Sequence, residues 1–473
     1  MAKRVVTVAP MPPEKSAYAL ARYSRSADSI KQSIDWVRTH NSQQFLESYY
    51  FQYGHQSIAD LGHTVLCFEG ISELAASEIE DEVLWDGQAK SSRYQDFSQG
   101  GFITPPELQG ADIAAYTAAG DALLAAYKSV HAGMDAWLRE KLPCPETMKP
   151  AAWARNIAAR AFDVARYLLF WGVPTNVGQV TSIRTLEKQI RRLRVSEFGE
   201  VRELGLEIAE ACAEPPECSW DAAGSEPLAP TLARHAEPDE YLRKSKADLA
   251  LWADANLDVT QSAGRRVELT KPGDTLSDIA ATLLYPVCHY SFRDLYQTVE
   301  GWSDARKLEV LDVALASRGS RDDLVRGFRG GQYCFDMLID IGAYRDMHRH
   351  RRCQQFRQAY SGEHGYDVPS QLMEAAGMEG AYRAAMDSAL TAMRALPDPA
   401  RQYLMPFGAR ARFLFKMDFA EVEYISRVRS GVKGHFSYRE IAWEMKQRVE
   451  EMEPALGRLI QATPPWIEDP LVR

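Results

Sequence analysis

The chain has 473 residues, of which 46% are hydrophobic and 25% charged, an ordinary globular composition too long for one core, so two or three domains are expected. A formal charge of −10 argues against binding nucleic-acid polymers, which needs a broadly basic surface, but leaves room for a local basic pocket that takes a small anion. No apolar run approaches the roughly 20 residues that span a bilayer, and the seven cysteines include no C-x-x-C pair, so no membrane span, zinc site or disulfide framework is expected.

Along the chain, the Val-rich run in Met1–Pro10 reads as a first strand. It is too short for a signal segment and lacks a cleavage site, so a cytoplasmic location is expected by default. His63–Phe68 reads as a strand by its β-branched and aromatic content, and Glu73–Val83 follows with helical apolar spacing. Long amphipathic helices are expected at Ile113–Trp137, Met373–Ala395 and Arg439–Ile460, and a shorter one at Leu204–Ala213. Between Ala213 and Pro238 the prolines Pro215, Pro216, Pro227, Pro230 and Pro238 interrupt any regular element and mark a linker. Beyond it, Gln332–Phe335 reads as a strand and Leu338–Met347 as a helix.

The two sides of this linker echo each other. Gly101-Phe102-Ile103-Thr104-Pro105-Pro106-Glu107-Leu108 corresponds to Gly365-Tyr366-Asp367-Val368-Pro369-Ser370-Gln371-Leu372. Pro215-Pro216 with Trp220 corresponds to Pro464-Pro465 with Trp466. Two echoes in the same order indicate duplication. The expected fold is α+β: two tandem modules, each a small sheet packed by several helices, over residues 1–213 and 239–473, with a Pro-rich linker at 214–238.

The densest unusual segment is Arg345-Asp346-Met347-His348-Arg349-His350-Arg351-Arg352, continued by Gln354, Gln355 and Arg357. Like charges this close repel unless an anion or carboxylates neutralise them, and guanidinium pairs match phosphate oxygens in a bidentate way. A solvated basic helix face is the plain alternative. Against it, the apolar stretch Phe335–Ala343 should anchor the segment to the core. A metal held by His348 and His350 is not expected, because the neighbouring arginines oppose a cation. Cys353, beside Arg351 and Arg352, reads as a spectator thiol, and Cys288, next to His289, as a core cysteine near a helix end. Gly431-Val432-Lys433-Gly434 reads as a turn between helices, with His435 capping or packing.

Arg349-His350-Arg351 after an apolar helix resembles the flavin-dependent thymidylate synthases, whose Arg-His-Arg motif contacts FAD. Ala21-Arg22-Tyr23-Ser24 and Tyr53-Gly54-His55-Gln56-Ser57 are similar to cofactor segments of that family, which implies FAD contacts at Ser24, His55 and Ser57 as well as at Arg349, His350 and Arg351. Gln88-Ala89-Lys90-Ser91-Ser92-Arg93-Tyr94 is similar to the loop that holds the dUMP phosphate, and Pro406–Arg429 to the last nucleotide-binding stretch. The resemblance thus implies nucleotide contacts at Gln88, Ser91, Arg93, Arg412 and Arg429, with Arg357 standing in for the missing second loop.

The copies depart from that pattern in complementary ways. In the first, Asp81-Glu82-Val83 holds the Arg-His-Arg position inside an acidic run; in the second, the Ser-x-Arg loop is lost. Carboxylates do not accept phosphate. The resemblance implies folate-dependent reductive methylation of dUMP or a similar uracil nucleotide at a composite site. FAD would be the cofactor, methylenetetrahydrofolate and NADPH the co-substrates, and no protein nucleophile is needed. It also implies a homodimer that rebuilds a pseudo-tetramer of modules. The other readings left open are a flavoenzyme of the same family on a different substrate and a non-catalytic nucleotide- or flavin-binding scaffold.

Overall fold

The computed structural model describes residues 8, 10–52, 55–218, 226–240, 243–244, 247, 265–271, 273–284, 292–316, 324, 326–329, 332–375, 377–469 and 471. The expected strand in Met1–Pro10 falls almost wholly outside these residues, as do Trp220 and the pair Cys288-His289. The chain forms two compact units. One comprises Met1–Lys90, Phe102–Ile113 and Gly172–Thr260; the other comprises Ser91–Gly101, Ala114–Trp171 and Gln261–Arg473. The second unit therefore includes segments from both sides of the Pro-rich stretch.

The first unit holds an antiparallel sheet in which β3 (Pro174–Ser182) lies between β1 (His63–Ser72) and β2 (Trp85–Ala89). Its registers set Val65 opposite Val180 and Gln88 opposite Gly178. Both β1 and β3 run straight into helices. Ser72 caps the helix Glu73–Glu80 by accepting from the Ala75 amide, and Ser182 caps Ile183–Leu193 by accepting from Thr185. Leu74, Ile79, Ile183, Leu186 and Ile190 are fully or almost fully buried and form the core with Val177.

The second unit repeats this plan with one more strand. Its antiparallel sheet has the order β4 (Val267–Thr270), β5 (Tyr333–Asp340), β7 (Arg410–Met417), β6 (Gln354–Arg357). Asp340 caps the helix Ile341–Met347 through the Ala343 amide, and Asp418 caps Phe419–Arg429 through the Glu421 amide. Counting from the caps, Glu187 and Arg191 fall at the same helix positions as Glu423 and Arg427, and both pairs form i,i+4 ion pairs.

The Gly-aromatic echo is also structural. Gly101 and Gly365 both adopt left-handed backbone, with φ of 64° and 67°. Two residues on, Ile103 donates to the Gly172 carbonyl and Asp367 to that of Gly408, each two residues before a strand. An α+β chain of two tandem modules is thus visible in caps, strand pairing and turns alike.

Several boundaries differ from expectation. Leu338–Asp340 continues β5 rather than starting a helix, because Leu338 and Ile339 extend the strand's alternation and Asp340 supplies the cap. The last long helix runs Phe436–Met452 and stops before Pro454 instead of reaching Ile460. The expected Met373–Ala395 helix is two, Ser370–Glu374 and Met378–Ala395, with Gly377 at φ 84° between them. Helices Ala111–Lys141 and Gly199–Ala213 extend the expected ones. No described helix is long and apolar enough to cross a membrane.

Candidate functional site: an arginine cluster at the strand-helix corner of the second unit

The corner after β5 is anchored as the apolar stretch requires. Phe335, Met337, Ile339, Ile341 and Ala343 are fully buried, so the helix Ile341–Met347 leaves the sheet from a fixed point. The basic segment that follows alternates in exposure. His348 and His350 are buried, Arg351 is half-buried, and Arg349 and Arg352 are exposed. A solvated helix face would show its histidines to water; these two point inward.

Asp346 is the hub. Arg166, itself 1% exposed, donates from Nη1 to Asp346 Oδ2 at 3.0 Å and from Nη2 to the Gly342 carbonyl at 3.1 Å. Burial pushes the Asp346 carboxyl up, but Arg166, Arg429, Arg93 and Arg345 outweigh it and hold the carboxyl below its usual range. One guanidinium thus hydrogen-bonds this carboxylate, and the charges of three more help to keep it ionised. Arg345 also donates to Ser92 Oγ at 3.0 Å and lies 4.5 Å from the Phe407 ring centroid.

Arg93 is buried and tied on several sides. It pairs with both oxygens of Asp163, and donates from Nη1 to the Tyr438 hydroxyl (3.0 Å) and from Nη2 to the Lys433 carbonyl (3.2 Å). Asp163 sits near the end of the helix Pro150–Ala165, and its carbonyl accepts from His435 Nε2 at 2.8 Å. His435 Nδ1 accepts from the Ser437 amide, so the ring proton lies on Nε2 and His435 both caps and packs. The turn Gly431–Gly434 lies between the helices Phe419–Arg429 and Phe436–Met452, as expected.

Arg429 donates from Nε to His350 Nε2 at 2.7 Å and lies 5.6 Å from the Tyr438 ring centroid. His350 Nδ1 faces buried Glu421 Oε1 at 3.6 Å. Burial pushes the His350 imidazole below its ordinary pKa, aided by Arg429 and opposed by Glu421 and Asp346, so the ring is neutral near pH 7.

The other sequence-selected residues are placed as follows. Ser91 Oγ accepts from the Arg93 amide; half-buried Arg357 lies 5.4 Å from the Tyr360 ring centroid; Arg412 pairs with Asp336 at 2.6 Å. These stand in the second unit. Ser24, His55, Ser57 and Gln88 stand exposed in the first, where Ser24 Oγ donates to the Ala21 carbonyl. Asp163, Arg166, Glu421 and Tyr438 were not anticipated, and Asp346 was read only as part of its basic run. Lone acids and arginines on remote helices give no local signal.

The corresponding corner of the first unit is electrostatically closed. Counting from Ser72 and Asp340, Glu78 takes the place of Asp346 and Glu82 that of His350. Arg192 donates to Glu82 Oε1 from both Nε (3.0 Å) and Nη2 (2.9 Å), and to the Glu78 carbonyl at 2.8 Å. Carboxylates of the acidic run thus occupy the guanidinium.

Sequence comparison decides the family. The profile of the family described as thymidylate synthase complementing protein matches residues 6–215 and 295–455, more than half of the chain. The chain belongs to this family. One matched stretch ends at residue 215 and the other begins at residue 295, so the family pattern occurs on both sides of the Pro-rich segment. Relatives include a UPF0159 protein of Chlamydia muridarum, 28% identical over 427 residues, which span 85% of this chain and 78% of that protein. Another, from Thermoplasma acidophilum, is 22% identical over 480 residues, 93% of this chain and 94% of that one. The crystal structure of the flavin-dependent thymidylate synthase ThyX from Helicobacter pylori, complexed with FAD and dUMP, is similar at TM-score 0.31 and 13% identity, over 41% of this chain and 99% of that one. Within the thymidylate synthase complementing match fall Arg93, Asp163, Arg166, Arg345, Asp346, His350, Glu421, Arg429 and Tyr438.

Proposed function

We propose that the chain is a flavin-dependent thymidylate synthase-like enzyme that binds FAD and a uracil nucleotide such as dUMP, with the corner after β5 as its phosphate-recognising element. The supporting observation is the gathering of arginines at this corner: Arg166 on the Asp346 carboxylate, Arg429 on His350 and Arg345 on Ser92, beside Arg349 and Arg351. This is an anion site built into a chain that is acidic overall. FAD contacts are assigned to Arg349 and Arg351, with Ser24, His55 and Ser57 as further flavin residues by family resemblance; His350, buried with both ring nitrogens facing protein groups, stands behind them. Nucleotide contacts are assigned to Arg429, Arg412, Arg357, Ser91 and Gln88.

A reduced flavin would supply hydride, and methylenetetrahydrofolate and NADPH are the proposed co-substrates. The protein's part is to bind, orient and charge-match the ligands. A homodimer would carry four modules.

One observation favours a modified substrate within the same chemistry. Most donors of Arg93 are engaged by Asp163, Tyr438 and Lys433, so Arg93 acts here as a brace and the phosphate contact falls to other arginines. The test is cofactor identification on the purified chain by absorbance and mass spectrometry, followed by rescue of a thymidine auxotroph. Bound FAD with rescue supports dUMP as substrate. Bound FAD without rescue points to another substrate, and a chain that neither carries nor takes up FAD contradicts the proposal.

A further inference from the structure

The two copies place different groups against the same kind of arginine. In the first unit Glu82 engages Arg192 through both Nε and Nη2, which fixes the guanidinium and cancels its charge. In the second, His350 stands at the corresponding position and engages Arg429 through Nε alone. Among the described residues, no acceptor takes a hydrogen bond from the two Nη groups of Arg429. An imidazole that is neutral and accepts at Nε2 must carry its proton on Nδ1, the nitrogen that faces Glu421 Oε1. Glu421 is 2% exposed and starts the same helix that ends with Arg429.

We infer that His350 is a positioning residue. Held by Glu421 in its Nδ1-H tautomer, it accepts from Arg429 Nε and aims the Arg429 Nη pair, still fully charged, at a bound anion. This rests on the reading of the corner as a nucleotide site. Replacing a carboxylate by an imidazole is what converts a self-neutralised corner into a receptive one: the acceptor fixes the arginine's orientation without supplying negative charge. Tyr438 holds the other side, with the Arg429 guanidinium over its ring.

The groups facing His350 are Glu421 and Tyr424 from the helix Phe419–Arg429, Arg429 at that helix's end, and Asp346 from its own corner, with Arg352 3.9 Å from Glu421. Protonation of His350 would remove the acceptor and set a cation against Arg429. Orientation of the Nη pair would then be lost.

The experiment is a double-mutant cycle on the full chain, with the dissociation constant for dUMP measured by titration calorimetry. His350→Phe and Arg429→Ala are each expected to weaken dUMP about ten- to hundredfold, as for a lost charge-assisted contact. The double variant should be no weaker than Arg429→Ala. His350→Gln, which keeps an acceptor, should recover most of the affinity. Additive losses, or His350→Phe with unchanged affinity, overturn the inference.

A second readout needs no ligand. Site-resolved exchange of the imidazole C2 proton should show the titration midpoint of His350 rising in Arg429→Ala and falling in Glu421→Gln. If neither variant moves it, the three residues are not coupled and the inference fails. If the wild-type chain binds no dUMP while the midpoint shifts as expected, the nucleotide reading fails and the pairing of His350 with Arg429 stands.

Discussion

Arg93 and Asp163 form a buried bidentate pair, with Nε to Oδ1 at 2.7 Å and Nη2 to Oδ2 at 3.1 Å. The two residues lie 70 positions apart and join a loop to a helix within one compact unit. Removing one partner strands the other charge in a dry site. Arg93→Ala and Asp163→Asn are each expected to destabilise the fold by about 3–5 kcal/mol. Arg93→Lys should not restore it, because an ammonium cannot reproduce the paired geometry. Chemical denaturation of the variants checks this, and a loss below about 1 kcal/mol, as for an exposed ion pair, would show that the pair contributes nothing.

Cys353 is buried and donates to the His350 carbonyl at 3.0 Å. Burial pushes its thiol up to about 12 despite two neighbouring arginines, so it is not a thiolate at neutral pH. In the folded protein, exposed Cys67, Cys144 and Cys218 should alkylate readily while Cys353 stays unmodified until denaturant is added. Peptide mass spectrometry after brief iodoacetamide treatment reads this directly.

Part of the pH dependence of stability follows from buried His350 and half-buried His131. Burial lowers the pKa of His350 and of His131 from the ordinary 6.5. A lowered folded-state pKa means that the unfolded chain binds the proton first. The stability these groups contribute is therefore complete above pH 6.5 and is lost as pH falls through their folded values. His350→Gln should flatten the acid limb of a stability-versus-pH curve, and an unchanged slope would contradict the buried neutral state.

The left-handed Gly101 has open space where a Cβ would stand, so its substitution isolates backbone strain. Gly101→Ala is expected to cost about 1–2 kcal/mol, measurable by thermal or chemical denaturation.

Features encoded in contiguous residues were legible in the sequence. The basic segment Arg345–Arg352, its apolar anchor, the acidic replacement at Asp81-Glu82 and the echo of Gly101 by Gly365 all lie in short windows. The misreading at Leu338–Asp340 arose because two apolar residues, half-buried Leu338 and buried Ile339, fit strand and helix equally, and only the cap at Asp340 separates them. The alternation of Ala411, Phe413, Phe415 and Met417 in β7 was a usable strand signal, since all four face inward. The charges completing the cluster were illegible for another reason. Arg166 reaches Asp346 from 180 positions away, and its immediate neighbours in sequence do not reveal that contact.

The most direct test of the central claim, that the corner after β5 binds a phosphate-bearing cofactor, is FAD binding by the wild-type chain and by Arg349→Ala. Arg349 is exposed, so its loss should leave the fold intact. The account predicts that the wild-type chain retains or takes up FAD and that Arg349→Ala binds it about ten- to hundredfold more weakly. A wild-type chain without FAD affinity, or a variant that binds as tightly as wild type, would contradict it.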